Sequence, residues 1–429
     1  MEEQDFNKQP YRTHDDYFGM THSLLLNHLR TETKKSKGKP PAYKISDFFT
    51  KRLWTWFYYY VSSRFGPNYP YVGYTAPETG IYDITPAEPG TGSVCIAVTA
   101  DWGTDTLQSF AVAGKMKEHN PDYTIHLGDT YYVGAPHEIE ENFTKPGSPW
   151  VRGSKGSFAV LGNHEMYARG IAFFKKLLPT LGLRDETGRC TGQKAGFFAL
   201  ENEYWRILGL DTGYHSIGKI PFIELLPGLG PDSHFDKKLV RWLYDDLKLD
   251  DENDRRGLLI LTHQQYVTAF DDEAEYLVPA EQLAKLIGKD RPVVWLWGHE
   301  HKFSVYEKVQ VGNGITVYGR CIGHGGMPIE ITTGAFNRCE KNHGDSKLVM
   351  VDTREQPGTA DYPLGYNGYV VLSLKNEQLE IGYFDVGGKL FSESWTADIN
   401  TGNIKGSIDV PASTQLKTVD NKAWSAAVR

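Results

Sequence analysis

Eight side chains that can bind a metal ion or move a proton stand where apolar, strand-like runs of the chain end. They are Asp101, Asp129, Tyr132, Asn163, His164, His263, His299 and His301. Taken singly, each has an ordinary explanation, because Asp and Asn form turns and a lone His usually has a structural role. As a set, they offer the carboxylate, phenol, amide and imidazole groups that bind metals in proteins. The sequence therefore predicts a metal site built from several strand ends.

The elements that position these side chains alternate between strand and helix patterns. Cys95–Thr99 and Tyr123–Leu127 are apolar runs typical of buried strands, and Leu107–His119 between them has the spacing of an amphipathic helix. The interval between Asp101 and Asp129 leaves room for one helical crossover, so the two strands can be parallel. Their carboxyl ends would then share the sheet edge where α/β folds place their sites.

The same order recurs further along the chain. Four more strand-like runs end in a polar side chain that could serve the site: Ser157–Leu161, Tyr204–Leu210, Gly257–Thr262 and Val293–Trp297. Helical patterns lie near 237–247 and 279–286, and Gly368–Leu374 with Leu379–Phe384 predicts an antiparallel hairpin. Beyond Trp395 the sequence is polar and rich in turn residues.

Composition limits the classes of function. The chain has 429 residues, of which 40% are hydrophobic and 13% aromatic, as expected for a globular protein with a large core. Its net charge of −8 argues against an unspecific nucleic-acid binder. An anionic substrate would therefore have to be attracted by a local charge, such as a bound metal ion.

The beginning of the chain carries no recognisable export signal. Residues 1–20 are polar and acidic, and no apolar run approaches the roughly 20 residues of a membrane span. Four scattered cysteines are too few for a disulfide scaffold. We expect a cytoplasmic protein, or a secreted one if a signal has been removed. Oligomeric state is open.

Residues 1–92 differ in character from the rest of the chain. Thr21–Arg30 predicts a short helix, and Ser46–Arg64 predicts an aromatic-rich one. The second helix would pack on the main domain or, alternatively, lie at a membrane surface or a protein partner. The Pro- and Gly-rich stretch 66–92 has the composition of a linker or wrapped arm.

Five blocks of the chain resemble, in order, the motifs of the purple acid phosphatases, within the calcineurin-like metallophosphoesterase superfamily. The blocks are Asp101-Trp102-Gly103, Gly128-Asp129-Thr130-Tyr131-Tyr132, Gly162-Asn163-His164-Glu165, Ile260-Leu261-Thr262-His263 and Gly298-His299-Glu300-His301. The resemblance covers roughly residues 93–397. It implies a four-layered α/β fold, a β-sandwich flanked by helices. We therefore expect a helical N-terminal extension and linker at 1–92, a catalytic domain at 93–397 and a C-terminal tail at 398–429.

One difference within the first block selects the subfamily. Most members of the superfamily carry Asp-x-His there, whereas this chain has Gly103 in place of the histidine. Purple acid phosphatases use a tyrosine three residues after the second aspartate, which is Tyr132 here. The resemblance therefore implies a full set of ligands: Asp101, Tyr132 and His301 at the first metal, Asp129 as the bridge, and Asn163, His263 and His299 at the second metal.

The implied chemistry is hydrolysis of a small phosphorylated substrate. Hard anionic oxygens at the tyrosine site favour Fe(III), and the second site would hold Zn(II), Fe(II) or Mn(II). A metal-bound hydroxide would attack phosphorus, and His164 would protonate the leaving group or stabilise the transition state. Asp211, His215 and His324, in loops that follow strands, are candidates to line the substrate pocket.

Alternatives remain beside this prediction. A phosphomonoesterase is favoured, but the same core could serve a phosphodiesterase acting on a nucleotide or lipid head group. A hypothesis of another class is a non-catalytic, metal-bound module that docks at a membrane or protein through residues 46–64. No nucleic-acid binding is indicated.

Overall fold

A computed structural model describes most of the chain after the N-terminal region. The described ranges are 58–59, 61–63, 65–86, 92–217, 233–270, 275–288, 291–311, 315–329, 331, 347–356, 364–419 and 422–429. Within them, the chain forms two eight-stranded sheets, sheet A and sheet B. The helix predicted at Thr21–Arg30 lies outside the described residues.

Sheet A combines parallel and antiparallel strands. In spatial order its strands are β1 (Ile81–Asp83), β6 (Phe198–Glu201), β7 (Trp205–Gly209), β8 (Gly257–Thr262), β9 (Arg291–Trp297), β11 (Ile315–Ile322), β10 (Phe303–Val311) and β12 (Leu348–Val351). β7, β8 and β9 are parallel to one another, so their carboxyl ends lie at one edge.

Sheet B has the same number of strands. In spatial order they are β16 (Asn403–Asp409), β15 (Gly388–Asp398), β14 (Gln378–Asp385), β13 (Gly368–Lys375), β2 (Val94–Thr99), β3 (Tyr123–His126), β4 (Gly156–Ala159) and β5 (Gly182–Leu183). β2, β3 and β4 are parallel, and the remaining pairs of this sheet are antiparallel.

Helices connect the parallel strands and cover the outer faces. They are α1 (Leu107–Glu118), α2 (Pro136–Ile139), α3 (Asn163–Tyr167), α4 (Lys237–Arg241) and α5 (Leu277–Ile287). π-helical turns at Glu140–Thr144 and Trp242–Asp246 extend α2 and α4, and another lies at Phe173–Leu177 before a 3₁₀ turn at Leu178–Thr180. α1 begins at a capping box, in which the Thr106 side chain and Ser109 exchange hydrogen bonds.

The core is divided into layers. The largest apolar cluster fills the space between the sheets, with Ile96 and Ile125 from sheet B facing Ile207 and Leu259 from sheet A. Second and third clusters lie under the helices on the outer face of each sheet. This is a mixed α/β sandwich consistent with the predicted metallophosphoesterase fold, which confirms the predicted fold class. Among the described residues, no helix has the length and hydropathy needed to cross a membrane.

The two ends of the described chain add strands to the sandwich. β1 lies in the stretch 66–92, whose composition is that of a linker or wrapped arm, and pairs with β6 at the edge of sheet A. β16 lies in the predicted tail and pairs with β15. The sequence does not predict β16, because its side chains are exposed or only half-buried and its composition is therefore polar.

The C-terminal tail is also part of the core. Its 3₁₀ turn, Trp424–Ala427, ends with Ala427 fully buried between the sheets. The carbonyl oxygen of Ala427 accepts a hydrogen bond of 2.7 Å from Arg320 of β11. Arg320 in turn donates to the carboxylate of Glu393 in β15 at 2.9 Å. The tail is therefore bonded to Arg320, whose buried ion pair with Glu393 joins sheets A and B.

Candidate metal centre

The loops after six parallel strands meet along one seam between the sheets. Within the described residues, two groups of acids and imidazoles have ligand atoms that lie within 4.8 Å of one another. One group is Asp101, Asp129 and His301, and the other is Asp129, His263 and His299; all five side chains are buried. Asp129 belongs to both groups, so its carboxylate is placed to join two ions.

The Asp129 carboxylate has a different set of contacts at each oxygen. Its Oδ1 accepts a hydrogen bond of 2.9 Å from the backbone N–H of His164. Its Oδ2 lies 3.2 Å from Nε2 of His263 and 3.1 Å from the hydroxyl oxygen of Tyr131. Burial alone would raise the pKa of Asp129, but the nearby imidazoles of His263 and His164 hold it well below its usual range. The bridging group therefore stays anionic.

Three candidate ligands have strained backbone. The φ angles of Asp101, Asp129 and His299 are 55°, 69° and 66°, in the left-handed region. Such residues cost about 1–3 kcal/mol each and cluster at functional sites. The Asp101 loop and the His299 loop hold each other, since the His299 backbone N–H donates to Asp101 Oδ2 at 2.9 Å. A Cβ atom on Gly298 would lie 2.6 Å from the same oxygen, so this approach requires glycine.

His263 is oriented by a backbone carbonyl. Its Nδ1 lies 2.8 Å from the carbonyl oxygen of Leu127, which makes Nδ1 the donor and leaves Nε2 as the ligand atom. Nε2 faces Asp129 and, at 2.9 Å, the Oδ1 atom of Asn163. Burial lowers the pKa of His263, but the charge of Asp129 outweighs burial and raises it to about 9.

Asn163 and His164 begin the short helix α3. His164 Nδ1 lies 2.6 Å from the carbonyl oxygen of Tyr132, so this nitrogen is fixed as the donor. The other nitrogen, Nε2, lies 3.8 Å from Asp129 Oδ2. The His164 side chain thus presents one nitrogen to the shared carboxylate without being part of either group of ligands. That is the position in which an imidazole can exchange a proton with a bound substrate.

The phenol in the first group comes from Tyr131. Its hydroxyl donates to Asp101 Oδ1 at 2.8 Å and lies 2.6 Å from Nε2 of His301. Tyr132, to which the family resemblance assigned this place, is held through its main chain: its N–H donates to Glu138 and its carbonyl faces His164. The two assignments differ by one residue in a tight loop, and the Tyr132 assignment stays a prediction.

Gly103, which stands where most of the superfamily has a histidine, lies close to the Asp129 loop. Gly103 pairs with Thr130 in an isolated β-bridge. A Cβ atom at Gly103 would lie 3.1 Å from Thr130 Cγ2 and 3.2 Å from its Cα. A larger residue there would be in tight contact with Thr130, in the loop that carries Asp129 and Tyr131. Glycine at this position therefore allows the close pairing of the two loops.

The donor sets fit two metal ions. The first combines two carboxylates, an imidazole and a phenol, and the second combines the shared carboxylate with two imidazoles and the amide oxygen of Asn163. Anionic oxygens suit hard cations, whereas imidazoles suit divalent transition metals. The fixed Nδ1–H bond of His263 is the kind of supporting interaction that metal-bound histidines make.

Comparison with known proteins finds a family match within the chain. Residues 96–303 match the model of the calcineurin-like phosphoesterases. This part of the chain is a calcineurin-like phosphoesterase domain. It contains all eight of the strand-end residues that the sequence singled out. No curated protein sequence matches the chain significantly.

Solved structures show only distant similarity to this chain. GAP50, the anchor in the inner membrane complex of Plasmodium, is 14% identical with a TM-score of 0.47, over 71% of this chain and 89% of that one. A predicted phosphoesterase of Streptococcus pneumoniae is 10% identical with a TM-score of 0.26, over 74% and 99%. A single mutant of Vps29 from Entamoeba histolytica is 12% identical with a TM-score of 0.22, over 74% and 99%. Similarities this low carry no information on function.

Two buried glutamates support the ligand loops of the phosphoesterase domain. Glu165 accepts hydrogen bonds from the backbone N–H groups of Gly162 at 3.0 Å and Asp129 at 3.1 Å. Burial, followed by the charge of Asp129, raises the pKa of Glu165 to about 7. Glu300 accepts hydrogen bonds from the indole of Trp297 at 3.0 Å and from the hydroxyl of Thr268. Glu165 has a recognisable sequence signal, because it is the third residue after a helix N-cap.

The three predicted pocket residues have different surroundings. Asp211 is buried, its Oδ1 accepts hydrogen bonds from two backbone N–H groups, and burial raises its pKa to about 7. His215 stacks on His234 and lies 3.1 Å from Asp236. His324 is buried against Phe303, and burial lowers its pKa to about 4. Contact with substrate stays a prediction for all three.

Proposed function

We propose that this domain hydrolyses phosphate monoesters at a two-metal centre of the purple acid phosphatase type. The observation that carries the proposal is the position of Asp129, whose carboxylate belongs to both groups of ligand atoms. A carboxylate shared in this way can hold two ions a few ångströms apart, as two-metal phosphoesterases require. The phenol of Tyr131 beside the first group supports the subtype.

The two sites differ in charge, which favours two different ions. Two carboxylates and a phenol surround the first site, where we propose Fe(III). Neutral imidazole and amide groups dominate the second, which we assign to Zn(II), Fe(II) or Mn(II). When bound, such a pair supplies a nucleophile from water at neutral pH and neutralises the charge of the ester. The chain itself supplies the ligand geometry and the proton.

His164 is proposed as the group that moves this proton. The bond from Nδ1 to the Tyr132 carbonyl fixes the tautomer, so that Nε2 faces the shared carboxylate. A protonated Nε2 can donate to the leaving oxygen of the ester, and the neutral imidazole then takes up a new proton from solvent. The His164 side chain is 11% exposed, so the imidazole is not fully closed off from solvent.

The decisive experiment is metal analysis combined with turnover. The purified protein is assayed on an aryl phosphate and on the matching diester, with Asp129→Asn as the control. We expect two metal ions per chain, preferential cleavage of the monoester, and loss of both metal and activity in the control. Preferential cleavage of the diester would support the alternative phosphodiesterase. A protein that holds metal but cleaves neither ester would overturn the hydrolytic function.

That last outcome would favour the docking module. Two exposed aromatic side chains, Tyr58 at 66% and Phe65 at 77%, lie at the described end of the predicted 46–64 helix and support a contact with a membrane or protein. Replacing both aromatic residues, as Tyr58→Ser with Phe65→Ser, tests this role. The substitutions leave Tyr59 and Val61, which pack beside Tyr131 and Tyr132, in place. Lost localisation with unchanged hydrolysis would make the segment a docking device for an active enzyme.

A further inference from the structure

The loop that carries the phenol folds around one buried carboxylate. Glu138 of α2 is 3% exposed. Its carboxylate accepts hydrogen bonds from the backbone N–H groups of Tyr132, of Val133 at 3.0 Å and of Ala135 at 2.9 Å. Three amides from four successive residues therefore point to one side chain. Hydrogen bonds to an anionic acceptor are the strong ones, so Glu138 fixes the path of this loop.

The same loop presents two groups to the proposed centre. The hydroxyl of Tyr131 lies among Asp101, Asp129 and His301. The carbonyl of Tyr132 receives Nδ1 of His164. The backbone N–H of Tyr132, which is bonded to Glu138, belongs to the same residue as this carbonyl and to the residue that follows Tyr131. Any change in the path of the loop would therefore move the phenol and turn the imidazole together.

Packing alone does not replace this interaction. Tyr131, Tyr132, Val133 and Ala135 are buried in a small apolar cluster of their own. Buried N–H groups that lose their acceptor cost about 1–3 kcal/mol each, so the loop would move to find new partners. Glutamine at position 138 would keep the shape of the glutamate side chain but not its charge. It would offer one fewer acceptor oxygen and add an N–H₂ group that faces the backbone N–H donors.

We propose that Glu138 is a positioning residue, which acts through the loop to hold the Tyr131 phenol and the His164 imidazole in place for hydrolysis. This inference rests on the proposed function. It assigns Glu138 no contact with substrate and no proton transfer.

The test is a double-mutant cycle of Glu138→Gln with Tyr131→Phe. Glu140→Gln is the matched control, because it makes the same chemical change two residues away at an exposed ion pair with Lys176. Each variant is measured for metal dissociation constant and for kcat and KM on an aryl phosphate. Displacing a catalytic group by about 1 Å can cost 10²-fold, so we expect Glu138→Gln to lower kcat by about 10- to 100-fold with little change in KM.

The cycle separates positioning from general stability. Glu138→Gln should weaken metal binding in the wild-type background and much less in the Tyr131→Phe background, because the phenol is then already lost. Glu140→Gln should resemble the wild type. Equal losses of metal affinity in both backgrounds, or wild-type behaviour of Glu138→Gln, would overturn the proposal.

Folding and function are controlled separately. Circular dichroism establishes the folded fraction of each variant, and Glu138→Asp, which keeps the charge, replaces Glu138→Gln in the cycle if the latter does not fold. If the wild-type protein cleaves no phosphate ester, the proposed function fails. The metal affinities of the cycle still decide whether Glu138 acts through Tyr131.

Discussion

The hydroxyl of Tyr131 lies 2.8 Å from the Oδ1 atom of Asp101. This contact places a phenol at the proposed ferric site, one residue away from Tyr132. A tyrosinate bound to Fe(III) absorbs visible light through charge transfer, so the purified protein should be coloured. We expect Tyr131→Phe to abolish the colour and Tyr132→Phe to retain it, as measured by absorption spectra of the two metal-loaded variants.

The reverse result would support the assignment made from family resemblance. In that case Tyr132→Phe would remove the colour and Tyr131→Phe would keep it. A colourless wild-type protein that contains two divalent ions would contradict the proposal of Fe(III), but the proposal of a two-metal site would stand. Metal content must therefore be measured on the same samples.

Replacing His164 should separate chemistry from metal binding. In His164→Asn the side chain keeps a polar group near Tyr132 but can no longer donate a proton to the leaving group. We expect turnover of an aryl phosphate to fall by roughly 10²-fold, the scale of lost general-acid help, with both metals retained. An ester with a more acidic leaving group should lose less, because it needs less protonation. Unchanged turnover would remove His164 from the mechanism.

Asp211 should make stability depend on pH. Burial raises the pKa of this carboxyl to about 7 from an ordinary value of 3.8. Between these values the folded chain keeps a proton that the unfolded chain has released, so stability falls as pH rises, by up to about 1.4 kcal/mol per pH unit. Asp211→Asn removes this contribution. Urea denaturation between pH 5 and 7 should show the variant gaining stability relative to the wild type.

A control for that experiment uses an exposed acid. Asp245 is exposed in the π-helical turn after α4, and Asp245→Asn also removes one carboxylate. The free energy of unfolding of this variant should change with pH in the same way as that of the wild type. A constant difference between Asp211→Asn and the wild type at every pH would show that Asp211 is ionised in the folded protein.

Removing one partner of the buried ion pair between the sheets should destabilise the protein strongly, whereas replacing both partners with apolar residues should destabilise it little. Arg320 and Glu393 are both fully buried, and Tyr383 and Trp395 donate further hydrogen bonds to Glu393. Arg320→Met leaves an unpaired buried charge, so we expect a loss of about 3–5 kcal/mol in the free energy of unfolding. The double variant Arg320→Met with Glu393→Met should recover most of that loss, and a double variant as unstable as the single one would contradict this account.

The parallel strands could be predicted from the sequence because they are buried on both faces. Such strands are nearly continuous apolar runs, and Gly257–Thr262 was predicted to the residue while Cys95–Thr99 missed only Val94. β16 could not be predicted in this way, because its edge position leaves Asn403, Lys405 and Asp409 exposed. Its contribution comes from backbone pairing with β15, which leaves no apolar pattern.

The site was predictable as a set of ligand types, but not at the level of its supporting contacts. Asp101, Asp129, His263, His299 and His301 were predicted together because each follows a strand, and the structure groups them. Glu138 was missed, although it is the third residue after the N-cap Ala135, the same position that marks Glu165. Alanine is a poor N-cap residue, so the start of this short helix was not recognised. The choice between the two tyrosines depends on how one loop turns, and adjacent identical residues carry no signal for that.

The seam between the sheets has a consequence for how the protein assembles. Asp101, Tyr131 and Asn163 follow strands of sheet B, whereas His263, His299 and His301 follow strands of sheet A. Each proposed ion therefore takes ligands from both halves of the sandwich, and neither half alone offers a complete set. Binding of the metals would act as a check on folding, since only chains whose two sheets have docked in the correct register could load them. Acquisition of metal would thus mark the completed tertiary structure.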